Sequence, residues 1–203
     1  MSKIIHQIFL KITDKTIDDF PCYREGISLW KEFCEDNDWE YRLHTEIDDS
    51  IMTEEEKKVI KLGTERYPFY KIDFYRLILL SKFGGMYVDL DVFPTKNFNQ
   101  IKDNEIIIGR SIDKGDNKFF VNNNILKLNQ KLMNELKEYS ILQTYEKLNI
   151  EVYKTWRIRF FLQTSSAQML ARFCKMNKLN YQDNYDNYFI DHNTQAWDHP
   201  DVL

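Results

Sequence analysis

Two aspartates one residue apart, Asp89 and Asp91, close a short apolar run within residues 71–94, KIDFYRLILLSKFGGMYVDLDVFP. Paired carboxylates offer the hard oxygen donors that hold Mg²⁺ or Mn²⁺, ions that commonly bridge the phosphates of a nucleotide substrate. Upstream, Asp73 and Arg76 stand three residues apart on a predicted helix, a spacing that places an acid and a base on one face. Both pairs can therefore address one pocket. Read alone, neither is specific. Two acids at a strand end equally describe a solvated turn, and Asp73 with Arg76 equally describes an exposed helix ion pair worth roughly 0.3 to 0.5 kcal/mol.

The elements that must position these residues follow from periodicity. Residues 3–10 form an apolar run with His6 and Gln7 at its centre, which predicts a first buried strand. Residues 23–34 carry Ile27, Trp30, Phe33 and Cys34 at helical spacing, and residues 39–44 alternate as a strand does. Thr53 as N-cap with Glu56 at the capping-box position starts a helix that Gly63 is expected to end. Pro68 suits the start of the next helix, 69–83, which Gly84 and Gly85 stop. Residues 86–88 are then a strand feeding the acidic pair. Beyond Pro94, the pattern predicts strands at 105–109 and 119–126, helices at 128–148 and 164–176, and a polar, aromatic tail whose one regular stretch is 188–191. Alternating strands and helices predict an α/β fold, helices flanking a central, mostly parallel sheet. Such sheets bind ligands at the carboxyl ends of their strands, where Asp89 and Asp91 fall.

Composition narrows the partners. A chain of 203 residues with 43% hydrophobic content can bury one sizeable core, and we read residues 1–203 as one domain. Lys+Arg 28 against Asp+Glu 32 leaves a net charge of -4, which argues against nucleic-acid binding by phosphate neutralisation and makes a metal necessary for an anionic ligand. Cys22, Cys34 and Cys174 are odd in number and lack CxxC spacing, as expected of buried thiols in a reducing compartment. The apolar start is too short for a signal peptide and no stretch approaches a membrane span, so a cytoplasmic location is expected, in a bacterium or a virus-infected cell.

Asp73, Arg76, Gly84, Gly85, Tyr87, Asp89, Asp91 and Pro94, in that order, resemble the signature of the DXD sugar-binding glycosyltransferases. That group holds the yeast initiating mannosyltransferase and bacterial capsule-type transferases, with a more distant likeness to the glucosyltransferase domain of large clostridial toxins. The opening KIIHQIFL resembles the family's first strand, with Phe9 where the family usually has a tryptophan that stacks on the donor base. The resemblance implies a GT-A glycosyltransferase fold, a single Rossmann-like domain. It implies that Asp73 and Arg76 hydrogen-bond sugar hydroxyls, that Asp89 and Asp91 serve ribose and metal with Asp91 the direct ligand, and that Tyr87 contacts the sugar. A strand residue packed in the sheet is the other reading of Tyr87.

In the tail, His192 stands five residues before Trp197, like the family's closing motif, which makes His192 a third metal ligand and Trp197 a cover over the donor. A histidine ligand favours Mn²⁺ over Mg²⁺. Gln195 replaces a common serine. Asn123 resembles the family's asparagine near sugar and acceptor, with Asn122 and Asn124 competing for that place, and Thr164, Ser165 and Ser166 stand where a Thr-Gly-Pro turn is common.

The reaction implied is retaining transfer of a hexose from a nucleotide sugar, by family likeness a UDP-hexose, to a hydroxyl acceptor on a glycan or other polymer, as in polysaccharide biosynthesis. Two other readings compete. MYVDLDVF also fits the strand-DxDxV pattern of haloacid-dehalogenase phosphatases, with Asp89 as nucleophile, although the required downstream lysine and second acidic pair find no clear match. A sugar-nucleotide binding module without turnover is the second, and the intact Asp73, Arg76, Asp89 and Asp91 set argues against it.

Overall fold

The structure, a computed structural model, describes residues 2–95, 107–113, 118–150, 164–165, 167–179 and 189–191. Its strands are β1 (Ile4–Ile8), β2 (Glu40–His44), β3 (Met86–Val88), β4 (Val92–Pro94), β5 (Ile107–Asp113), β6 (Lys118–Lys127) and β7 (Phe189–Asp191). Its helices are α1 (Pro21–Asn37), α2 (Glu54–Arg66), α3 (Tyr70–Phe83), α4 (Gln130–Leu148) and α5 (Ala167–Met176). One sheet has the order β2-β1-β3-β6-β5, and β4 pairs with β7 in a second, two-stranded sheet. β1 is parallel to both its neighbours, with Ile5 opposite Tyr41 on one side and Met86 on the other. β6 then runs antiparallel to β3 and to β5. The α/β expectation holds, with the parallel strands gathered at β2, β1 and β3.

Helix α1 covers one face, where Ile5, Trp30, Cys34, Met86, Val88, Val92, Ile107 and Ile125 form a core. The other face packs β1 and β6 residues against α2, α3, α4 and α5 around Tyr70, Phe74, Leu77, Leu80, Leu136 and Phe173. The chain leaves β1 through α1 to β2 and returns through α2 and α3 to β3, so the order reverses between β1 and β3. In open α/β sheets the crevice beyond the strand ends at such a reversal is where ligands bind. Here those ends are Phe9 and Asp89.

Several boundaries shift for identifiable reasons. Thr53 and Glu56 make the predicted reciprocal capping box, but Gly63 does not end α2, which runs on to Arg66. The Tyr70 ring occupies the space a Gly63 Cβ would fill, so this glycine serves close packing against α3 rather than termination. The strand expected at 105–109 is described over Ile107–Asp113 and runs past its predicted end. α3 stops where Gly84 and Gly85 take φ of 70° and 82°, a left-handed conformation glycine adopts without penalty. β4 was not anticipated at all: three residues carry too little periodicity to register. Cys34 and Cys174 are buried free thiols, as expected, and Cys22 is half-buried.

β1 buries His6 and Gln7 completely, and each polar group finds a partner. The His6 ring nitrogens lie 3.1 Å from His44 Nε2 and 3.1 Å from the Gly84 carbonyl. Burial, reinforced by neighbouring His44, pushes the His6 imidazole down to about 3, and burial with the nearby Arg42 charge pushes His44 down to about 4. Between the ordinary value of 6.5 and these folded values, the unfolded chain binds protons that the native state refuses. Their contribution is complete above pH 6.5 and is lost as pH falls. From pH 7 to pH 5 a fully buried histidine costs about 2 kcal/mol by this linkage, and half-buried His44, screened by solvent, costs less. Urea unfolding at the two pH values should show the drop, with a shallower one in His6→Gln. A wild-type free energy that is flat across this window would remove the explanation.

Candidate active site

The site is built on the step from β3 into β4. The Asp89 amide donates to the Asn124 carbonyl at 2.7 Å, extending the β3–β6 ladder by one rung, and the Val92 amide donates back to the Asp89 carbonyl at 3.2 Å. Asp89 to Val92 is therefore a closed turn at the carboxyl edge of the parallel strands. Leu90 is buried, whereas Asp89 and Asp91 on either side of it are only partly covered.

Asp73 and Arg76 reach this turn from α3, and they are not an exposed pair. Tyr70 and the run from Asp73 to Leu80 are all buried, because α3 is apolar nearly all round and lies between the sheet and its neighbours α2 and α4. Asp73 and Arg76 are each 4% exposed. The Arg76 guanidinium donates from Nη2 to Asp73 Oδ1, and its Nη1 lies 3.8 Å from Asp89 Oδ1. Beneath it lies the Tyr87 ring, 4.3 Å from guanidinium carbon to ring centre, close enough for a cation–π contact. The Tyr87 hydroxyl donates to Asp89 Oδ1. Tyr87 is therefore buried, as its packing reading supposed, and also tied to the acidic pair.

The electrostatics divide the two acids. Burial pushes the Asp89 carboxyl above the usual carboxylate range, Arg76 pulls it back, and the charge of Asp91 pushes it up again. With 32% of the Asp89 side chain open to solvent, water screens that upward shift. Burial alone would lower the Arg76 guanidinium, but Asp73, Tyr87 and Asp89 outweigh it and hold the cation charged. Burial also raises the Tyr87 phenol, which stays a neutral donor. Asp89 is thus engaged by Arg76 and Tyr87, while Asp91 stands half-buried on the turn.

Phe9 follows β1 at the reversal point, half-buried, with its amide donating to the His44 carbonyl at 2.8 Å. Its ring meets Phe20 and Tyr23 edge-on at 6.5 and 6.4 Å, and those two stack at 4.8 Å. Sequence reading singled out Phe9 alone; Phe20 and Tyr23, at the start of α1, had no signal beyond aromatic content. Asn123 lies in β6 next to Asn124, whose carbonyl takes the Asp89 amide. Thr164 and Ser165 are buried, and the Thr164 carbonyl accepts from Ser140 Oγ at 2.6 Å. His192, Gln195, Trp197 and Ser166 lie outside the described residues.

Among the described residues no group of three or more His, Cys, Asp or Glu side chains could hold a metal. The oxygen donors present are Asp89 and Asp91, whose charges act on each other. That set fits a hard divalent cation, which is typically held by one or two carboxylates with substrate phosphates completing the shell.

Residues 17–108 match the model of a family described as "Glycosyltransferase sugar-binding region containing DXD motif". No curated protein matches the chain in sequence. Among solved structures it is similar to the PaToxG glycosyltransferase, at 13% identity and a TM-score of 0.58, over 87% of this chain and 69% of that one. It is also similar to the catalytic domain of alpha-toxin from Clostridium novyi, at 11% identity and a TM-score of 0.54, over 86% of this chain and 72% of the other. The fold is therefore the GT-A fold that the sequence resemblance implied, and the matched segment contains Asp73, Arg76, Asp89 and Asp91.

Removing one partner of a buried ion pair leaves an uncompensated charge. Asp73→Asn should cost about 3 kcal/mol or more of unfolding free energy. Glu54→Gln, which breaks the exposed Lys57–Glu54 pair on α2, should leave stability unchanged. Equal effects in chemical denaturation would contradict the burial of Asp73 and Arg76.

Proposed function

We propose that residues 1–203 form a single glycosyltransferase domain that moves a hexose from a nucleotide sugar, a UDP-hexose, to a hydroxyl acceptor on a glycan or other polymer with retention of configuration. The observation that carries this reading is Arg76, buried on α3 and joining Asp73 to Asp89 at the carboxyl edge of the parallel strands, in a chain with the GT-A fold.

In this reading Asp73 and Arg76 fix the sugar hydroxyls, and Arg76 presents fixed positive charge to the reacting centre, where preorganised charge is worth most. Asp89 meets the ribose and shares the cation. Tyr87 and Asn123 line the sugar side. Phe9, with Phe20 and Tyr23 beside it, provides an apolar face for the base, and Trp197 closes over the donor. Asp91, Asp89 and His192 would hold Mn²⁺ or Mg²⁺, which when bound neutralises charge on the leaving diphosphate. The β4–β7 pairing supports the membership of His192: Val92 lies opposite Asp191, and the next residues in sequence beyond that pair are Asp91 and His192. Among the described residues no carboxylate is placed as a covalent nucleophile, and we read the reaction as front-face displacement with the leaving phosphate taking the acceptor proton. Asp89 accepts a hydrogen bond from Tyr87 and faces Arg76, which weighs against it as the free nucleophile of a phosphatase. No helix among the described residues is long and apolar enough to cross a membrane, and we place the enzyme in the cytoplasm of a bacterium or a virus-infected cell.

Screening nucleotide sugars by mass spectrometry should reveal a Mn²⁺-dependent hydrolysis that Asp91→Asn lowers by more than about 100-fold, the scale of losing one electrostatic stabiliser, with the fold intact by circular dichroism. Unchanged turnover in that variant would sink the assignment of Asp91. His192→Ala should weaken Mn²⁺ binding by at least about 10-fold, the low end of what even outer partners of a metal site contribute. An unaltered titration would return His192 to solvent.

A further inference from the structure

The main chain of the Asp89–Val92 turn is gripped from beneath by residues that carry no ligand group. Gln7, fully buried on β1, donates from Nε2 to the Asp89 carbonyl at 3.1 Å, and its Oε1 accepts from the Tyr41 hydroxyl at 2.8 Å. A carbonyl only accepts, so the Asp89 contact leaves one orientation for the amide, with its oxygen toward the Tyr41 hydroxyl. From the α1 side, fully buried Trp30 donates its indole N–H to the Val92 carbonyl at 2.7 Å. One helical turn earlier on the same face, Gly26 lies so near the Leu90 carbonyl that a Cβ there would overlap its oxygen. A glycine inside a helix costs about 1 kcal/mol relative to alanine, and close approach to the turn is what that cost supports. The carbonyls of Asp89, Leu90 and Val92 are thus each met by a buried neighbour.

We infer that Gln7, Gly26 and Trp30 are positioning residues, with Tyr41 acting through Gln7: they fix the turn so that the Asp89 and Asp91 carboxylates are pre-set for a divalent cation. The inference rests on the metal-dependent reading above. Ligand groups must be held within about 0.5 Å to act together, and the turn's own 3.2 Å Val92-to-Asp89 hydrogen bond is one contact against that demand. A role confined to core packing would change stability and leave the affinity of folded protein for the ion untouched.

The test uses Mn²⁺, alone and with UDP, titrated against the full chain by electron paramagnetic resonance, together with amide exchange of the 86–94 peptide. Gln7→Leu removes the donor at similar volume, Gly26→Ala presses α1 onto Leu90, and Tyr41→Phe removes only the phenol. Gln7→Leu and Gly26→Ala should each weaken Mn²⁺ affinity about 10-fold and speed exchange of the turn amides relative to the rest of the protein. Tyr41→Phe should weaken it about 3-fold alone and add nothing to Gln7→Leu, the coupling expected of one relay. Lower melting temperatures with unchanged Mn²⁺ affinity and unchanged turn exchange would overturn the inference. If Gly26→Ala does not fold, Gln7→Leu and Tyr41→Phe decide it. If the wild type takes up no Mn²⁺, the metal-dependent reading has failed by itself, and exchange at the turn decides whether these residues position it.

Discussion

A guanidinium with almost no access to water organises this molecule. Arg76 sits on a helix buried nearly all round, and a charge in that setting is tolerated only when other groups replace its hydration. Asp73 supplies one carboxylate from the same helix, Asp89 a second from the end of β3, and the Tyr87 ring a polarisable face. Those three partners come from two consecutive elements, α3 and the end of β3, so the compensation exists only when α3 is docked on the sheet. The ion pair therefore ties the helix to the strand end and places a fixed positive charge where a ligand would bind.

The sheet topology makes that location the open one. Passing from β1 to β2 by one face and back to β3 by the other leaves a crevice beyond the carboxyl ends of β1 and β3. Phe9 stands at the end of one strand and Asp89 at the end of the other. The short β4–β7 pairing then brings a segment near residue 190 against the acidic turn. Its contribution is geometric: two stretches separated by about a hundred residues become neighbours through three pairs of opposed residues.

Much of this was legible in the chain. Thr53 with Glu56, the two glycines after Phe83, and the strand before Asp89 are local signals, and each element appears where its chemistry placed it. What failed or was missed depends on tertiary context. Gly63 reads as a helix terminator until the Tyr70 ring is seen to need its missing side chain. Asp73 and Arg76 stay open in sequence between a pocket face and an exposed ion pair, because spacing reports a shared face and not what covers it. Gln7 reads as an interruption of an apolar strand, since nothing local says that its amide reaches a carbonyl 82 residues away.

The two acids of the motif also show how one short sequence yields two environments. Leu90 between them is buried, which fixes the turn by its middle and leaves both aspartates partly toward solvent. Asp89, nearer the strand, falls within reach of Arg76 and Tyr87; Asp91, two residues on, leads directly into the β4–β7 pair. Which acid meets the guanidinium thus follows from where β3 ends relative to Arg76, and moving that end by one residue would put Leu90 in the place of Asp89.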